Sequence, residues 1–442
     1  MASITLDSSV LIIGAGTWGC SVALELARRR YTNVTVLDGH SFPSAIAAGN
    51  DLNKIMEEAT PKPEDSDREY FFNRVSQLSG QAWREDPIYS SFYHQTGFIM
   101  SACSASFYKE HVLPYAKEFP DTVLLESAEQ WRATMPEGVL TGDFPGWRGV
   151  YRRTGAGWVF ARGAIEAVLA EAVRLGVKLI ANSSEGAVTS LLFSDDLTNV
   201  RGATTADGRT HYADTTILAA GANSDLLLDF KKQLRPTAWT LAHVPLSPSE
   251  ARIYKDMPVP YNIERGFFIE PDAETHQIKI CDEHPGYVHM VTDSKTGEER
   301  SVPFAKHQIP VASEARIRRL LRDTMPQLSE REFSFARICW DADTADRIFL
   351  IDRHPEYSSL VLACGGSGHG VNPMPAIGKI VVDRLEGTME ERLRKMARWR
   401  PEQVVNRDWW DLQGRHGADE KIMEFGDVEK WTRIGEGRSE KL

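Results

Sequence analysis

The stretch Val10-Leu11-Ile12-Ile13-Gly14-Ala15-Gly16-Thr17-Trp18-Gly19 decides the fold. An apolar run ends in G-x-G-x-x-G, and a helical pattern follows with Val22, Ala23, Leu26 and Ala27 on one face. A second apolar run, Val34-Thr35-Val36-Leu37, then closes on Asp38. Helical spacing between two short β-rich runs spells one βαβ unit. Each glycine has a mechanical task. Gly14 turns the chain, Gly16 lets backbone approach a pyrophosphate, and Gly19 lets the helix lie close to the strand. Amides from Ala15 through Trp18, with Thr17 between them, sit at the positive end of the helix dipole and suit phosphate oxygens. Asp38, about 20 residues beyond the motif, is placed to accept from ribose hydroxyls. The stretch predicts an ADP-containing dinucleotide. The competing reading is a glycine-rich turn in an unrelated α/β unit. The flanking strand, helix and acid count against it.

Bulk properties bound the rest. The chain has 442 residues, 42% apolar and 26% charged, as expected of a soluble globular protein with two or more units. Its 51 basic and 62 acidic residues give a formal net charge of −11. That argues against nucleic acid or an anionic membrane as a general partner and leaves a local basic pocket open. The five cysteines, Cys20, Cys103, Cys281, Cys339 and Cys364, are odd in number and form no C-x-x-C. Neither a disulfide framework nor a metal site is expected, and a reducing intracellular compartment is the default. No apolar run has the length of a membrane span, and the N-terminus lacks the basic region of a signal peptide. Glu440-Lys441-Leu442 differs by one residue from the S-K-L peroxisomal address, with an ordinary polar tail as the equal alternative. The expected location is cytoplasmic or peroxisomal.

Further along, residues 47–54 read as an irregular loop and 68–83 as a helix. Residues 161–175 are helical, with Gly176 as cap, and a strand follows at 177–180. Strands near 187–193 and 200–206 turn at Asp207-Gly208. Thr215-Thr216-Ile217-Leu218-Ala219-Ala220-Gly221 reads as a buried strand ending in glycine. From 234 to 310, segments such as 239–244, 266–270 and 277–281 alternate like antiparallel strands. A helix is expected over most of 311–328. Short buried strands at 349–352 and 360–363 lead into Gly365-Gly366-Ser367-Gly368-His369-Gly370 and a helix at 375–385. Past about 401 the sequence is rich in charge and tryptophan and assigns no fold.

Nucleotide-domain pieces thus recur along the chain. A nicotinamide dinucleotide is usually bound within one contiguous domain. An extended flavin dinucleotide collects distant segments and places its ring at the border of a second domain, so the split favours FAD. The expected fold class is α/β. A Rossmann-type FAD-binding domain with a parallel sheet is built from discontinuous segments (1–90, 150–230 and 331–400). A second, α+β substrate domain with an antiparallel sheet takes 91–149 and 231–330. Residues 401–442 form a C-terminal extension that contributes to the active site.

Together, Gly14 to Gly19, Asp38, Ala219 to Gly221, Cys339 and the Gly365–Gly370 loop resemble the monomeric sarcosine oxidase group of flavin amine oxidases. The resemblance spans essentially the whole chain and is closest to the fungal fructosyl amino acid oxidases, or amadoriases. It is carried by Ala48-Gly49-Asn50-Asp51-Leu52-Asn53-Lys54, Gly142-Asp143-Phe144-Pro145-Gly146-Trp147, Leu234-Arg235-Pro236-Thr237-Ala238-Trp239-Thr240 and Lys279-Ile280-Cys281-Asp282-Glu283-His284-Pro285-Gly286.

The resemblance implies FAD bound covalently through Cys339, as a thioether to the 8α-methyl of the ring. Taken alone, a cysteine between Ile338 and Trp340 reads as a small buried hydrophobe. The resemblance further implies that Lys279 lies near flavin N5 through a water and serves oxygen, since a fixed cation in a dry site stabilises the superoxide formed first. Glu283 would face the substrate amine and Arg415 its carboxylate. Ala220, Gly221, Gly366, Gly368, His369 and Gly370 would line the cofactor, and Ser367 would touch the sugar. Asn53 and Lys54 would reach the flavin's edge, with a solvent-facing lysine an equal alternative for Lys54. His284 and His369 are either acid–base groups or hydrogen-bonding loop residues. Asn372 departs from the pattern. Sarcosine oxidases and some amadoriases carry there a lysine that binds the substrate carboxylate, so the departure weakens an expectation of sarcosine oxidation. The implied activity is oxidation of a glycated amino acid by O₂ to glucosone, free amino acid and H₂O₂, by a monomer. The alternatives are an N-methyl amino acid oxidase, a flavin-dependent dehydrogenase that does not use O₂, or a non-catalytic flavoprotein.

Overall fold

Strands buried on both faces, such as Ser9–Ile13, need helices on either side to cover them. The computed structural model describes residues 4–294, 297–412, 415, 417 and 421–434. In it, this run lies near the centre of a six-stranded sheet. The spatial order is Leu350–Arg353, Leu360–Cys364, Thr215–Leu218, Ser9–Ile13, Asn33–Asp38 and Lys178–Ala181. All pairings are parallel except that of the edge strand Leu350–Arg353. The helix after the first strand, Thr17–Arg28, packs against Ala161–Arg174 and Met374–Glu386. Its crossing with Met374–Glu386 is close. A Cβ built on Gly378 would fall 2.3 Å from the Ser21 carbonyl oxygen, and Ser21 Oγ accepts from Gly378 N at 2.9 Å.

The helix expected at 68–83 runs Asp67–Glu85 and starts at Ser66 with a reciprocal Ser66–Glu69 capping box. The loop expected over 47–54 ends one residue early. Lys54 opens the strand Lys54–Glu57, which pairs antiparallel with Ala156–Val159.

The second sheet has ten strands around the long strand Leu234–Pro245. On one side of it lies Gln277–Asp282, and on the other Phe335–Thr344, both antiparallel. Not every pairing is antiparallel: Val259–Asn262 runs parallel to Phe98–Ala102, and Tyr287–Val288 to Met423–Glu424. The ten-residue strand Phe335–Thr344 is absent from the periodicity reading. Its charged residues break the apolar pattern, and its ladder binds it to this sheet rather than to the six-stranded one. Beyond 401 the described residues form a short 3₁₀ turn, Pro401–Val404, and the strand Met423–Glu424. Phe425 stacks on Tyr287 with ring centroids 4.6 Å apart. Glu440, Lys441 and Leu442 lie outside the described residues.

Candidate active site

The two glycine loops, at opposite ends of the sequence, meet in space. Trp18 Nε1 donates to the Gly370 carbonyl at 2.8 Å across 352 residues. In the first loop, a Cβ on Gly19 would lie 1.8 Å from Gly14 O, and one on Gly14 would lie 2.5 Å from Ala219 O. Gly14 also needs its positive φ of 106°. These two glycines, with Ala219-Ala220 alongside, are packing positions. Gly16 and Gly221 differ, because a Cβ on either meets nothing within 4 Å. Backbone there borders open space at a helix N-terminus, a cradle that suits a pyrophosphate. Asp38 does more than await a ribose: its Oδ2 accepts from Ala15 N at 2.8 Å and its Oδ1 from His40 N at 3.0 Å. Each oxygen keeps a lone pair for a hydroxyl.

At the other end, residues 337, 339, 341 and 343 alternate along Phe335–Thr344 and share one face, bringing Arg337, Cys339, Asp341 and Asp343 into a row. Cys339 is partly exposed, whereas Cys20, Cys281 and Cys364 are buried. It borders a small cluster of Leu241, Cys281, Phe335 and Phe267. Lys279 Nζ sits 5.8 Å from the Phe267 ring centroid. Lys279 is fully buried, and its ammonium donates to Asp51 Oδ2 and to Asn53 O, each at 2.7 Å. Lys54 donates to the same Asp51 oxygen at 2.6 Å. Burial alone would raise the Asp51 pKa. The charges of Lys279, Lys54 and Arg337 outweigh it and hold the carboxyl far below its usual range. Burial likewise disfavours the Lys54 ammonium, and Asp51 and Cys339 overcome that and raise its pKa. Two ammonium groups thus share one carboxylate, with the charge of Arg337 acting on it as well. Asn53 Nδ2 donates to Glu270 O at 3.3 Å, and its Oδ1 is buried without a partner.

Glu283 follows the strand Gln277–Asp282. Burial and then the neighbouring Asp282 push its pKa up to about 8, against the pull of Tyr261, Arg347 and Arg415. Arg415 arrives from the far end of the chain. A Cβ on Gly417 would lie 2.6 Å from Glu283 O, so this segment lies against the Glu283 backbone. The Arg415 guanidinium donates to Asp343 and lies 4.5 Å from the Trp239 ring centroid. Its Nε and Nη1 have no partner among the described residues. Gly414 and His416 lie outside the described residues.

One expectation needs correction. Ser367 does not offer its hydroxyl to a sugar: the side chain is fully buried, donates to Gly365 O at 3.1 Å and accepts from Thr344 N at 3.1 Å. Asn372 is held beside Glu57. Its side-chain amide donates to Glu57 O at 3.2 Å, its backbone carbonyl accepts from Trp83 Nε1 at 2.8 Å, and its Oδ1 is buried with no partner among the described residues. Of the two readings of the histidines, the hydrogen-bonding one is the better supported. Burial lowers His369 to about 3, helped by Arg347 and Arg415, and lowers His284 to about 4. His284 Nδ1 accepts from Gly286 N at 3.0 Å, which leaves its proton on Nε2, facing Thr240 Oγ1 at 3.2 Å. Thr240 in turn donates to Asp282 Oδ1 at 2.6 Å. This network fixes the strand end that carries Glu283.

Sequence reasoning missed Asp51, Arg347 and the acid pair Asp341 and Asp343. Asp341 accepts from Gly368 N and so holds the late glycine loop. The signal for the pair was available, since two acids two residues apart in a strand share a face. No local pattern marks Asp51 or Arg347.

The residues fit FAD on two counts. The open cradle at Gly16 and Gly221 suits a pyrophosphate, and buried donors and acceptors without partners among the described residues (Asn53 Oδ1, Arg337 Nη2, Arg415 Nε, Asp343 Oδ2) mark polar volume at the other end. Among the described residues no group of three or more His, Cys, Asp or Glu could hold a metal ion, and no helix is long and apolar enough to cross a membrane.

Comparison with known proteins bears on the same site. A family model for FAD dependent oxidoreductases matches residues 9–384. The structure superposes on the fructosyl amine:oxygen oxidoreductase Amadoriase I of Aspergillus fumigatus with a TM-score of 0.94, at 51% identity over 98% of this chain and 99% of that one. It superposes on the deglycating fructosamine oxidase Amadoriase II of the same fungus, in complex with FSA, with a TM-score of 0.94, at 49% identity over 99% of both chains. The L-saccharopine oxidase of Schizosaccharomyces pombe is 28% identical over 95% of this chain and 99% of its own.

Proposed function

The chain belongs to the FAD-dependent oxidoreductase family, and from that premise we propose that it is an oxidase of fructosyl amino acids, converting them with O₂ and water into glucosone, free amino acid and H₂O₂. The observation that carries the reading is the meeting of Glu283 with Arg415 beside the buried Lys279 cluster. It gives one site a proton-exchanging acid, a carboxylate-binding cation and a fixed positive charge. Near-complete overlap with Amadoriase I at 51% identity supports the choice of substrate class.

When bound, FAD supplies a two-electron acceptor for the C–H bond beside the substrate amine and returns those electrons to O₂. Gly16 and Gly221 would receive its pyrophosphate and Asp38 its ribose, and Cys339 would be the point of a thioether attachment. The substrate nitrogen must lose its proton before the C–H bond can give up a hydride. Glu283, with a pKa of about 8, matches a secondary ammonium and takes that proton at its carboxylate. Arg415 is oriented by Asp343 and by the Trp239 face, and offers Nε and Nη1 to the substrate carboxylate. Lys279, Lys54 and Arg337 exceed Asp51 by two charges. This cluster stabilises the anion formed when O₂ takes its first electron.

The test is the visible spectrum of purified protein under anaerobic fructosyl valine, followed by air and a peroxide assay. Flavin absorbance should bleach and recover with peroxide release. Recovery only with an artificial acceptor would make the protein a dehydrogenase. Bleaching by sarcosine but not by fructosyl valine would move the substrate class.

A further inference from the structure

The chain that leaves Phe335–Thr344 doubles back at Arg347 before Leu350–Arg353 begins. Arg347 holds a left-handed backbone, φ 61°, which a long side chain adopts where its surroundings over-determine it. Across the gap Ser367 is left-handed as well, at φ 50°. The two are sewn together. Arg347 Nη2 donates to Ser367 O at 3.3 Å, Ser367 N donates to Ala342 O at 3.0 Å, and Thr344 N donates to Ser367 Oγ at 3.1 Å. The guanidinium is thereby laid over the late glycine loop, with Nη2 3.8 Å from where a Gly368 Cβ would sit. Non-glycine strain on both sides of one contact marks a position held for a task rather than a loose surface turn.

The surroundings name that task. The charges that act on Arg347 are those of Arg415, Asp343, Tyr261 and Glu283, all groups of the candidate site. Its Nε is buried without a partner among the described residues. Asp343, in the row, has one oxygen, Oδ1, engaged by Arg415. Glu283, with its pKa near 8, is mostly uncharged at neutral pH. Arg347 is therefore a partly buried cation that makes no ion pair among the described residues and keeps a free Nε, and a guanidinium so placed suits a carboxylate from outside, taken by two parallel N–H bonds. Asn372, beyond the same loop, carries no charge and spends its amide on Glu57.

We propose that Arg347 binds the carboxylate of the substrate's amino acid portion, as a second arm beside Arg415, and so sets the preference for fructosyl amino acids over fructosyl amines that lack the carboxylate. This rests on the fructosyl amino acid oxidase reading of the site.

The experiment compares kcat and KM of the holoenzyme on fructosyl valine and on fructosyl isobutylamine, its decarboxylated counterpart, for wild type, Arg347→Gln and Arg347→Lys. Arg347→Gln should lower kcat/KM on fructosyl valine about 100-fold, mainly through KM, and change it less than about threefold on the amine. Arg347→Lys should recover part of the loss on fructosyl valine alone. Equal losses on the two substrates, or none on either, overturn the assignment, as does a wild type that takes both equally well. A wild type that oxidises neither overturns the oxidase reading and the assignment together. If Arg347→Gln does not accumulate as a folded flavoprotein, Arg347→Lys decides: a loss confined to fructosyl valine supports the proposal, and a uniform loss refutes it.

Discussion

Asp51→Asn removes the carboxylate that Lys279 and Lys54 share. At a separation of 2.7 Å, the Lys279 pair is worth about 6 kcal/mol at an effective dielectric of about 20. Desolvation of both ions offsets part of this. Leaving one partner of a buried pair alone costs about 3–5 kcal/mol in practice. With an unfolding entropy of about 2.1 cal/mol/K per residue over 442 residues, a loss of about 4 kcal/mol lowers Tm by about 4 °C. The Asp51 pKa is depressed, so its contribution is fully present above the ordinary carboxylate range and is lost only in strong acid. The difference in Tm from wild type should therefore be flat between about pH 5 and pH 9. Function should fail selectively. Without Asp51 the two ammonium groups lose the shared acceptor that fixes their positions, and the cluster is no longer preorganised for the anion formed from O₂. Stopped-flow should show reoxidation slowed at least about tenfold and anaerobic reduction by substrate nearly unchanged. Adding Lys279→Met should cost little more, because the two act as a unit. An unchanged Tm with unchanged reoxidation, or equal slowing of both half-reactions, would refute the reasoning.

Glu283 with a pKa near 8 must be ionised to accept the substrate proton. Its active fraction should rise about tenfold from pH 7 to pH 9, and kcat/KM with it. Glu283→Gln should remove that limb, leaving only the substrate's own titration; persistence of the full limb would exclude the role. Cys339→Ser should bind FAD yet release it on acid precipitation, whereas wild-type precipitate stays yellow with a mass increment on the protein. A colourless wild-type pellet would end the thioether assignment. The glycines should separate by task. Gly19→Ala collides with Gly14 O at 1.8 Å and should destabilise the fold by several kcal/mol, at about 1–3 or more for overpacking. Gly16→Ala meets open space, should leave apoprotein Tm within about 1 °C, and should weaken FAD binding instead.

The sequence carried the parts whose causes are local. The βαβ start, the helices Ala161–Arg174 and Met374–Glu386 and the Asp207-Gly208 turn follow from periodicity, caps and glycine chemistry over a few residues. Phe335–Thr344 escaped because most of it is buried and its ten-residue ladder runs along the long strand Leu234–Pro245, so its charged row breaks alternation without breaking the ladder. Asp51 escaped for a different reason. Its partner Lys279 lies 228 residues away, and nothing near it in sequence says that it will be buried between two ammonium groups. The resemblance brought Lys279, Glu283, Cys339 and Arg415 to one region of the molecule. It said nothing of what holds them, and it misassigned the Ser367 hydroxyl, which closes its own loop.

The order of strands in the six-stranded sheet bears on how the protein is made. Ser9–Ile13 has as its neighbour Thr215–Leu218, and that strand pairs in turn with Leu360–Cys364. The first loop is then fastened to Gly370 through Trp18. A chain emerging from the ribosome at about 5–20 residues per second holds its N-terminal fingerprint for tens of seconds before those partners exist. During that wait the apolar run Val10–Ile13 is an unpaired strand edge, a known route to aggregation. Cofactor loading is thus a late event in the life of each molecule, coupled to completion of the chain. Yield in a recombinant host should then respond more to chaperone capacity than to added riboflavin.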